Sequence, residues 1–385
     1  DNIAEYKGNL QRRDESLDIG ESNELLRARG LEKQIIALQE PMTEWFERLK
    51  SENNNTRGDD LRISSNELLD VISKSTQGVL DEEETTEIAR VSDMIDRLFS
   101  VIIDEEEDSE DEEQNDCTRI AEILEICIRY RNSPAFALVF DHSLEQPRLT
   151  SHLLDPSLVG EEIFETCRGA ILMSGTLFPP EMYSEVLGVP SEKSSCRIYS
   201  SDFPIANRPV LIANDVTSKF TERETSMSLI GEHVRAVIEN TKGNVAIFAP
   251  SYSMLERVHS DFENLGWSRK RIIKEEQRMS KRRVEGMIST LYEQKDMGGV
   301  AIFGVLNGKL SEGVDYSDNI LDALVCIGLP MAPPSAKQDA LMEYFTDKFD
   351  RSRAWKYVSL QPAVNSVLQA LGRPIRKKED RAIIV

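Results

Sequence analysis

The chain has 385 residues, of which 40% are hydrophobic and 30% charged, and a formal net charge of −22; that length is too great for one small domain and allows roughly two or three units with cores of their own. No run approaches the roughly 18–20 uninterrupted apolar residues of a membrane-spanning helix, and no secretory pattern opens the sequence, so neither a membrane span nor a cleaved signal is expected. The start at Asp1 rather than Met predicts further sequence upstream and leaves targeting illegible.

In chain order, about the first hundred residues are polar, with apolar residues at helix spacing in Leu25, Leu31, Ile35, Ile36 and Leu38, and again at Leu68, Leu69, Val71 and Ile72. A helical unit is predicted. Much of the acidity is concentrated in Glu82 to Glu84 and in DEEEDSEDEEQND at 104–116, a run that repels itself and predicts a solvated loop away from any polyanion. Thr118 to Arg131 reads as an amphipathic helix, and the texture turns to short β-rich runs at AFALVF, which sets a domain boundary near Arg131 to Pro134.

Strands and helices then alternate, the pattern of an α/β fold with a largely parallel sheet. Strands are predicted at Ala170–Met173, Pro209–Ala213, Val245–Phe248, Val300–Phe303, Ala323–Ile327 and Ala382–Val385. Helices are predicted at Thr225–Asn240, Tyr252–Leu265, Lys281–Gln294, Lys337–Asp347 and Pro362–Leu371. The Pro- and Ser-rich stretch Pro190–Pro209 reads as a linker between two α/β units. Five cysteines, Cys117, Cys127, Cys167, Cys196 and Cys326, contain no CxxC pair and read as buried thiols rather than a disulfide framework or zinc site; no metal site is predicted.

Three segments carry chemistry. In QALGRPIRKKEDR, the spacing of Gln369, Arg373 and Arg376 puts them on one helical face, with Gly372 allowing close approach; two arginines on one face suit phosphate oxygens, or equally complement a helix C-terminus. GKLSEGVD at 308–315 follows the apolar run VAIF, a placement that puts polar side chains at the carboxyl edge of a sheet. Gly304, Gly308 and Lys309 are too closely spaced for a Walker A loop, and Leu310 stands where Ser or Thr is needed. Ser174, Gly175 and Thr176 form a hydroxyl-bearing turn after AILM.

Together MSGTLFPPEMYSEVLG, FAPSYSMLERV, LSEGVDY and QALGRPIR, in that order from about Gly169 to Arg376, resemble motifs III to VI of the XPD family of superfamily 2 DNA helicases, of archaeal type. The resemblance implies an α/β fold with a RecA-like, P-loop-NTPase-like motor domain and an N-terminal, mainly helical arch domain. It implies arch at 1–133, the end of the first motor domain and a linker at 134–197, and the second motor domain at 198–385. Walker A, DEAH and a four-cysteine segment, which precede the arch in that family, are absent, so ATP, Mg²⁺ and the 4Fe–4S cluster would be held by a preceding part, and this chain alone is expected not to hydrolyse ATP.

The implied roles are arginine fingers for Arg373 and Arg376 with Gln369 orienting; nucleotide-cleft contacts for Glu312, Gly313, Asp315 and Gly372; and coupling or a DNA track for Ser174, Gly175, Thr176, Ser251, Tyr252 and Ser311. The implied activity is ATP-dependent 5′ to 3′ unwinding in nucleotide excision repair, in the cytoplasm of an archaeon or the nucleus of a eukaryote. A DinG-like helicase and a non-catalytic module binding DNA or a partner are the alternatives. Single-stranded DNA and junctions, the preceding half of the protein and repair proteins are the implied partners. Candidate DNA contacts are Arg269 to Lys274, Arg278 and Lys281 to Arg283, with Tyr252 and Trp267 as stacking faces; lying beside Glu275, Glu276 and Glu285, these Lys and Arg read alternatively as a solvated helix surface, and Trp355 and Tyr357 read as core.

Overall fold

Helix starts in this chain are set by short polar side chains. Thr86, Asn115, Ser251, Ser280 and Ser335 each stand just before a helix and accept a hydrogen bond from a main-chain N–H of its first turn. The computed structural model describes all residues except 1, 54–59, 81–85, 102–114, 144–146, 267, 313, 315 and 317. Most of both acidic runs, and Trp267, Gly313 and Asp315 among the candidate residues, therefore lie outside the described residues.

The first elements are α1 (Asn2–Ser16), α2 (Asn23–Asn53), β1 (Asp60–Ile63), α3 (Ser65–Thr76), α4 (Glu87–Phe99), α5 (Asp116–Tyr130), β2 (Phe136–Asp141) and β3 (Arg148–Leu153). There follow α6 (Ser157–Thr166), α7 (Pro180–Val186), α8 (Arg223–Asn240), β4 (Asn244–Ala249), α9 (Tyr252–Asn264), β5 (Arg271–Lys274) and α10 (Lys281–Gln294). The chain ends with β6 (Val300–Val305), β7 (Leu321–Cys326), α11 (Ala336–Lys348), α12 (Arg351–Trp355), α13 (Gln361–Leu371) and β8 (Ile383–Ile384). Two compact units result, one of residues 1–159 with 333–351, the other of 160–332 with 352–385.

The first unit is built on helical periodicity. In α4, Val91, Met94, Ile95 and Leu98 form one buried stripe, which joins Leu31, Trp45, Leu49, Leu68 and Leu124 of α2, α3 and α5 in a single core. Strands β1, β2 and β3 form an antiparallel sheet with β2 in the middle, and Ala340 of α11 packs against Ala137 and Leu154 beside it.

Asp155, 3% exposed, follows β3. Its carboxylate accepts from Lys348 Nζ at 2.6 Å, from Ser157 Oγ at 2.7 Å and from the Tyr344 hydroxyl. Burial pushes this carboxyl up, but Lys348, Tyr344 and Ser157 outweigh it and hold the group below its usual value. The sign follows: stabilisation is complete above the ordinary carboxyl value of about 4 and is lost as pH falls through the lower folded value. Thermal melting of the first unit should therefore fall steeply on acidification below about pH 4. Asp155→Asn should already lower the stability of this unit at pH 7, by about 3 kcal/mol, because the Lys348 ammonium loses its anionic partner, and should flatten the acid limb of the melting profile.

The second unit carries the expected parallel sheet, in the order β5-β6-β4-β7-β8. Strands β4 and β6 are buried along their whole length, as a sheet covered on both faces requires. Alternate residues of β4 divide between the faces. Val245, Ile247 and Ala249 meet Val234, Met254 and Val258 of α8 and α9, while Ala246 and Phe248 meet Val284, Leu291 and Ala370 of α10 and α13.

Two predicted strands differ. Ala170–Met173 forms no strand, and Ile171 and Met173 are 90% and 88% exposed, because no strand among the described residues pairs with this run. Pro209–Ala213 makes only a single parallel bridge, Val210 to Ile384, beside β8. The cysteines also divide: Cys117 and Cys127 are buried and Cys326 nearly so, but Cys167 and Cys196 lie in the exposed segments on either side of α7.

Candidate functional site

The carboxyl ends of β4, β5 and β6 lie side by side, and the loops leaving them bring together residues from distant parts of the sequence. After β4, Ser251 caps α9 with its hydroxyl 3.3 Å from Met254 N, and Tyr252, half-buried, points its hydroxyl at Glu275. Glu275 follows β5 and is 1% exposed.

The charge run around Glu275 predicts a solvated surface, yet this carboxylate is an interior hub. Oε1 accepts from Lys309 N at 2.9 Å and from the Tyr252 hydroxyl at 3.2 Å; Oε2 accepts from Val305 N at 3.1 Å. Burial pushes the Glu275 carboxyl above its ordinary value despite the opposing pull of these donors, and burial together with the Glu275 charge pushes the Tyr252 phenol up to about 12. Glycine is needed at 304 and 308 because a Cβ there would stand 2.8 Å and 2.7 Å from the Glu275 oxygens.

The loop after β6 continues through Ser311, buried, whose hydroxyl accepts from Gly308 N at 3.1 Å, and Glu312, half-exposed, whose N–H bonds Gly308 O at 2.9 Å. Arg373 then closes on it. Its Nε donates to Ser311 O and its Nη1 to Val314 O, each at 2.7 Å. A guanidinium fork gripping two carbonyls joins the loop after β6 to the end of α13.

The expected single helical face for Gln369, Arg373 and Arg376 is not formed. Helix α13 ends at Leu371 because Pro374 has no N–H to continue it and restricts the residue before it. Gln369 is exposed on the last helical turn, Gly372 caps the helix, Arg373 lies in the turn, and Arg376 is exposed in a bend. That bend is held by Asp380, 6% exposed, whose Oδ2 accepts from both Arg376 N and Lys377 N at 2.7 Å. The two arginines are thus divided, Arg373 turned to the main chain and Arg376 at the surface.

Ser174, Gly175 and Thr176 form an exposed turn in which Thr176 N donates to Ser174 Oγ at 3.2 Å. Just beyond it the chain reaches the helix of the arginine segment. Gln361 Nε2 donates to Phe178 O at 2.6 Å, Tyr357 OH to Glu185 at 2.7 Å, and Asn365 to the Tyr183 hydroxyl. Trp355, expected in the core, is 46% exposed.

The basic segment is also divided. Lys270 is 8% exposed and gives its ammonium to Lys242 O at 3.1 Å, Gly243 O at 2.7 Å and Gly298 O at 2.6 Å; burial pushes its pKa down. It is a staple for turns, so it leaves the list of candidate DNA contacts. Lys274 pairs with Glu256 at 2.6 Å and Arg283 with Glu276 at 2.5 Å. Arg269, Arg271, Arg278, Lys281 and Arg282 are exposed.

Residues 234–385 match the family described as the helicase C-terminal domain. An ATP-dependent DNA helicase CHL1 of Candida albicans is 29% identical over 262 residues, 60% of this chain and 30% of that protein. The ATP-dependent DNA helicase DDX11 of Mus musculus is 26% identical over 281 residues, 63% of this chain and 30% of its own. The XPD helicase subunit of general transcription and DNA repair factor IIH of Schizosaccharomyces pombe is 27% identical over 262 residues, 63% of this chain and 33% of its own. The chain spans about a third of the length of these curated relatives. In fold it is similar to a solved XPD helicase, with a TM-score of 0.52 at 20% identity over 92% of this chain and 60% of the other. It is likewise similar to S. tokodaii Xpd4, with a TM-score of 0.55 at 14% identity over 92% of this chain and 65% of the other.

Proposed function

We propose that this chain, whose residues 234–385 form a helicase C-terminal domain like those of CHL1, DDX11 and XPD, is part of an ATP-dependent DNA helicase and supplies the half of the nucleotide site that stabilises transition-state charge. On this reading residues 1–133 are the arch, 134–197 the end of a first motor domain with its linker, and 198–385 a second, RecA-like motor domain.

The observation that carries the reading is the continuous hydrogen-bonded path from Tyr252 through Glu275 and the loop after β6 to Arg373, with Arg376 exposed three residues beyond. It ties the carboxyl edge of a parallel sheet, the usual ligand-binding edge of such folds, to an arginine that faces solvent. Arg376 is the finger that meets the γ-phosphate of ATP. Arg373 positions it, Gln369 orients it from the last turn of α13, and Glu312, Gly313, Asp315 and Gly372 border the nucleotide.

Ser174, Gly175 and Thr176 pass the hydrolysis signal through the Phe178–Glu185 segment to α13, and Ser251, Tyr252 and Ser311 border the DNA track. Five exposed bases, Arg269, Arg271, Arg278, Lys281 and Arg282, are the candidates for phosphate contact with single-stranded DNA. ATP and Mg²⁺ are bound jointly with a first motor domain. An iron–sulfur cluster, where the protein has one, belongs to the part that precedes this chain. DNA junctions in nucleotide excision repair, with repair proteins as partners, are the proposed setting, cytoplasmic in an archaeon or nuclear in a eukaryote.

The test uses the full-length protein. Single-stranded DNA is expected to stimulate its ATP hydrolysis, and a forked duplex with a 5′ tail to be unwound where one with a 3′ tail is not. Hydrolysis indifferent to DNA would sink the helicase reading; unwinding from the 3′ tail would sink its polarity.

A further inference from the structure

Glu275 belongs to none of the segments that led to the functional reading, yet three loops depend on it. It follows β5, binds the N-terminal residue of α9 through Tyr252, and binds the main chain at both ends of the turn after β6 through Val305 N and Lys309 N. Its own N–H donates to Phe303 O at 2.8 Å, which fixes its backbone to β6 as well. Two residues past Lys309 stands Ser311, which is tied back to that turn where its hydroxyl accepts from Gly308 N at 3.1 Å, and whose carbonyl is one of the two gripped by Arg373.

We propose that Glu275 is a positioning residue: by holding the turn after β6 from inside, its carboxylate sets the carbonyls on which Arg373 docks, and through Arg373 it sets the place of Arg376. The role rests on the reading of Arg376 as the arginine that serves the nucleotide. A carboxylate suits it because both oxygens are acceptors only, and every group facing them here is a donor.

That requirement separates shape from chemistry. Glu275→Gln keeps the side chain's size, but whichever way its amide turns, an NH₂ faces a main-chain N–H, so at least one acceptor is lost and a donor is set against a donor.

The test is hydrogen–deuterium exchange on Glu275→Gln in the full-length protein, followed by ATPase kinetics. Peptides covering 305–312 and 372–377 should both exchange about tenfold faster than in the parent protein, as the loss of a buried acceptor implies, with β7 and residues 383–385 unchanged. Tyr252→Phe, which removes one donor and leaves the grip on both amides, should move the same peptides by less than about threefold. In ATP hydrolysis, kcat should fall about tenfold while KM for ATP stays within about twofold, since misplacing a finger is felt in the transition state.

If 372–377 keeps its protection while 305–312 loosens, or if neither changes, the positioning role is overturned whether or not the protein hydrolyses ATP. If both loosen and the parent protein has no ATPase, the path from Glu275 to the arginine turn stands and the nucleotide reading fails. Should Glu275→Gln not fold, Glu275→Asp, which keeps both acceptors but withdraws them by one methylene, is to be read by the same pair of peptides.

Discussion

Arg376→Ala in the full-length protein is expected to lower kcat for DNA-stimulated ATP hydrolysis by about a thousandfold and to lower the melting temperature of the second unit by no more than about 3 °C, the scale of a surface contact. The magnitude is that of removing an arginine finger, whose charge is needed when the phosphoryl group is in transit. The small effect on stability follows from position. Arg376 is exposed, and the bend that carries it is held through its main-chain N–H by Asp380, a contact that alanine retains. Arg376→Lys is expected to recover only a small part of the rate, because an ammonium on a flexible stem does not reproduce the planar fork. ATP affinity should change little if the side chain acts chiefly in the transition state. A variant with normal kcat would remove Arg376 from the nucleotide site, and one that melts early would show that the side chain is structural.

The sheet was the most legible part of the molecule. VAIF occurs twice, at 245–248 and 300–303, and both runs are central strands, because a strand buried on both faces must be apolar throughout. Helices α8, α9, α10, α11 and α13 stand where periodicity predicts them, each within two residues at either end. Strand β5 was illegible because RIIK has only two apolar residues and sits in a basic stretch; what makes it a strand is its place at the sheet edge beside β6. The opposite error at Ala170–Met173 has the same cause, since an apolar run becomes a strand only where another strand pairs with it.

Site residues divide along a similar line. Motif wording located the arginine segment but not the division between its two arginines, although Pro374 marks the end of the helix in the sequence itself. Glu275 had no local signal. Its burial is decided by Gly304, Gly308 and Tyr252, each more than twenty residues away, and nothing in KEEQR distinguishes the buried carboxylate from its exposed neighbour Glu276. The burial of Lys270 is illegible for the same reason, since three carbonyls from two distant turns decide its surroundings.

Arg373→Ala should differ from Arg376→Ala in kind. The Arg373 guanidinium makes two charge-assisted hydrogen bonds, to Ser311 O and Val314 O, from a half-buried position beneath the turn. Removing it leaves those carbonyls without the donor and frees the end of α13 from the loop, at a cost of about 3 kcal/mol. For a unit of this size that is a fall in melting temperature of roughly 8 °C. ATP hydrolysis should also fall, because the turn carrying Arg376 loses its anchor, and exchange should quicken in both 305–316 and 372–377. Arg373→Lys can reach one carbonyl but not fork across two, so it should recover about half the stability. The two arginines are then distinguished by one comparison: loss of rate with little loss of stability at Arg376, and large loss of both at Arg373. Equal melting temperatures for the two alanine variants would mean that the fork on Ser311 and Val314 does not hold the turn in solution.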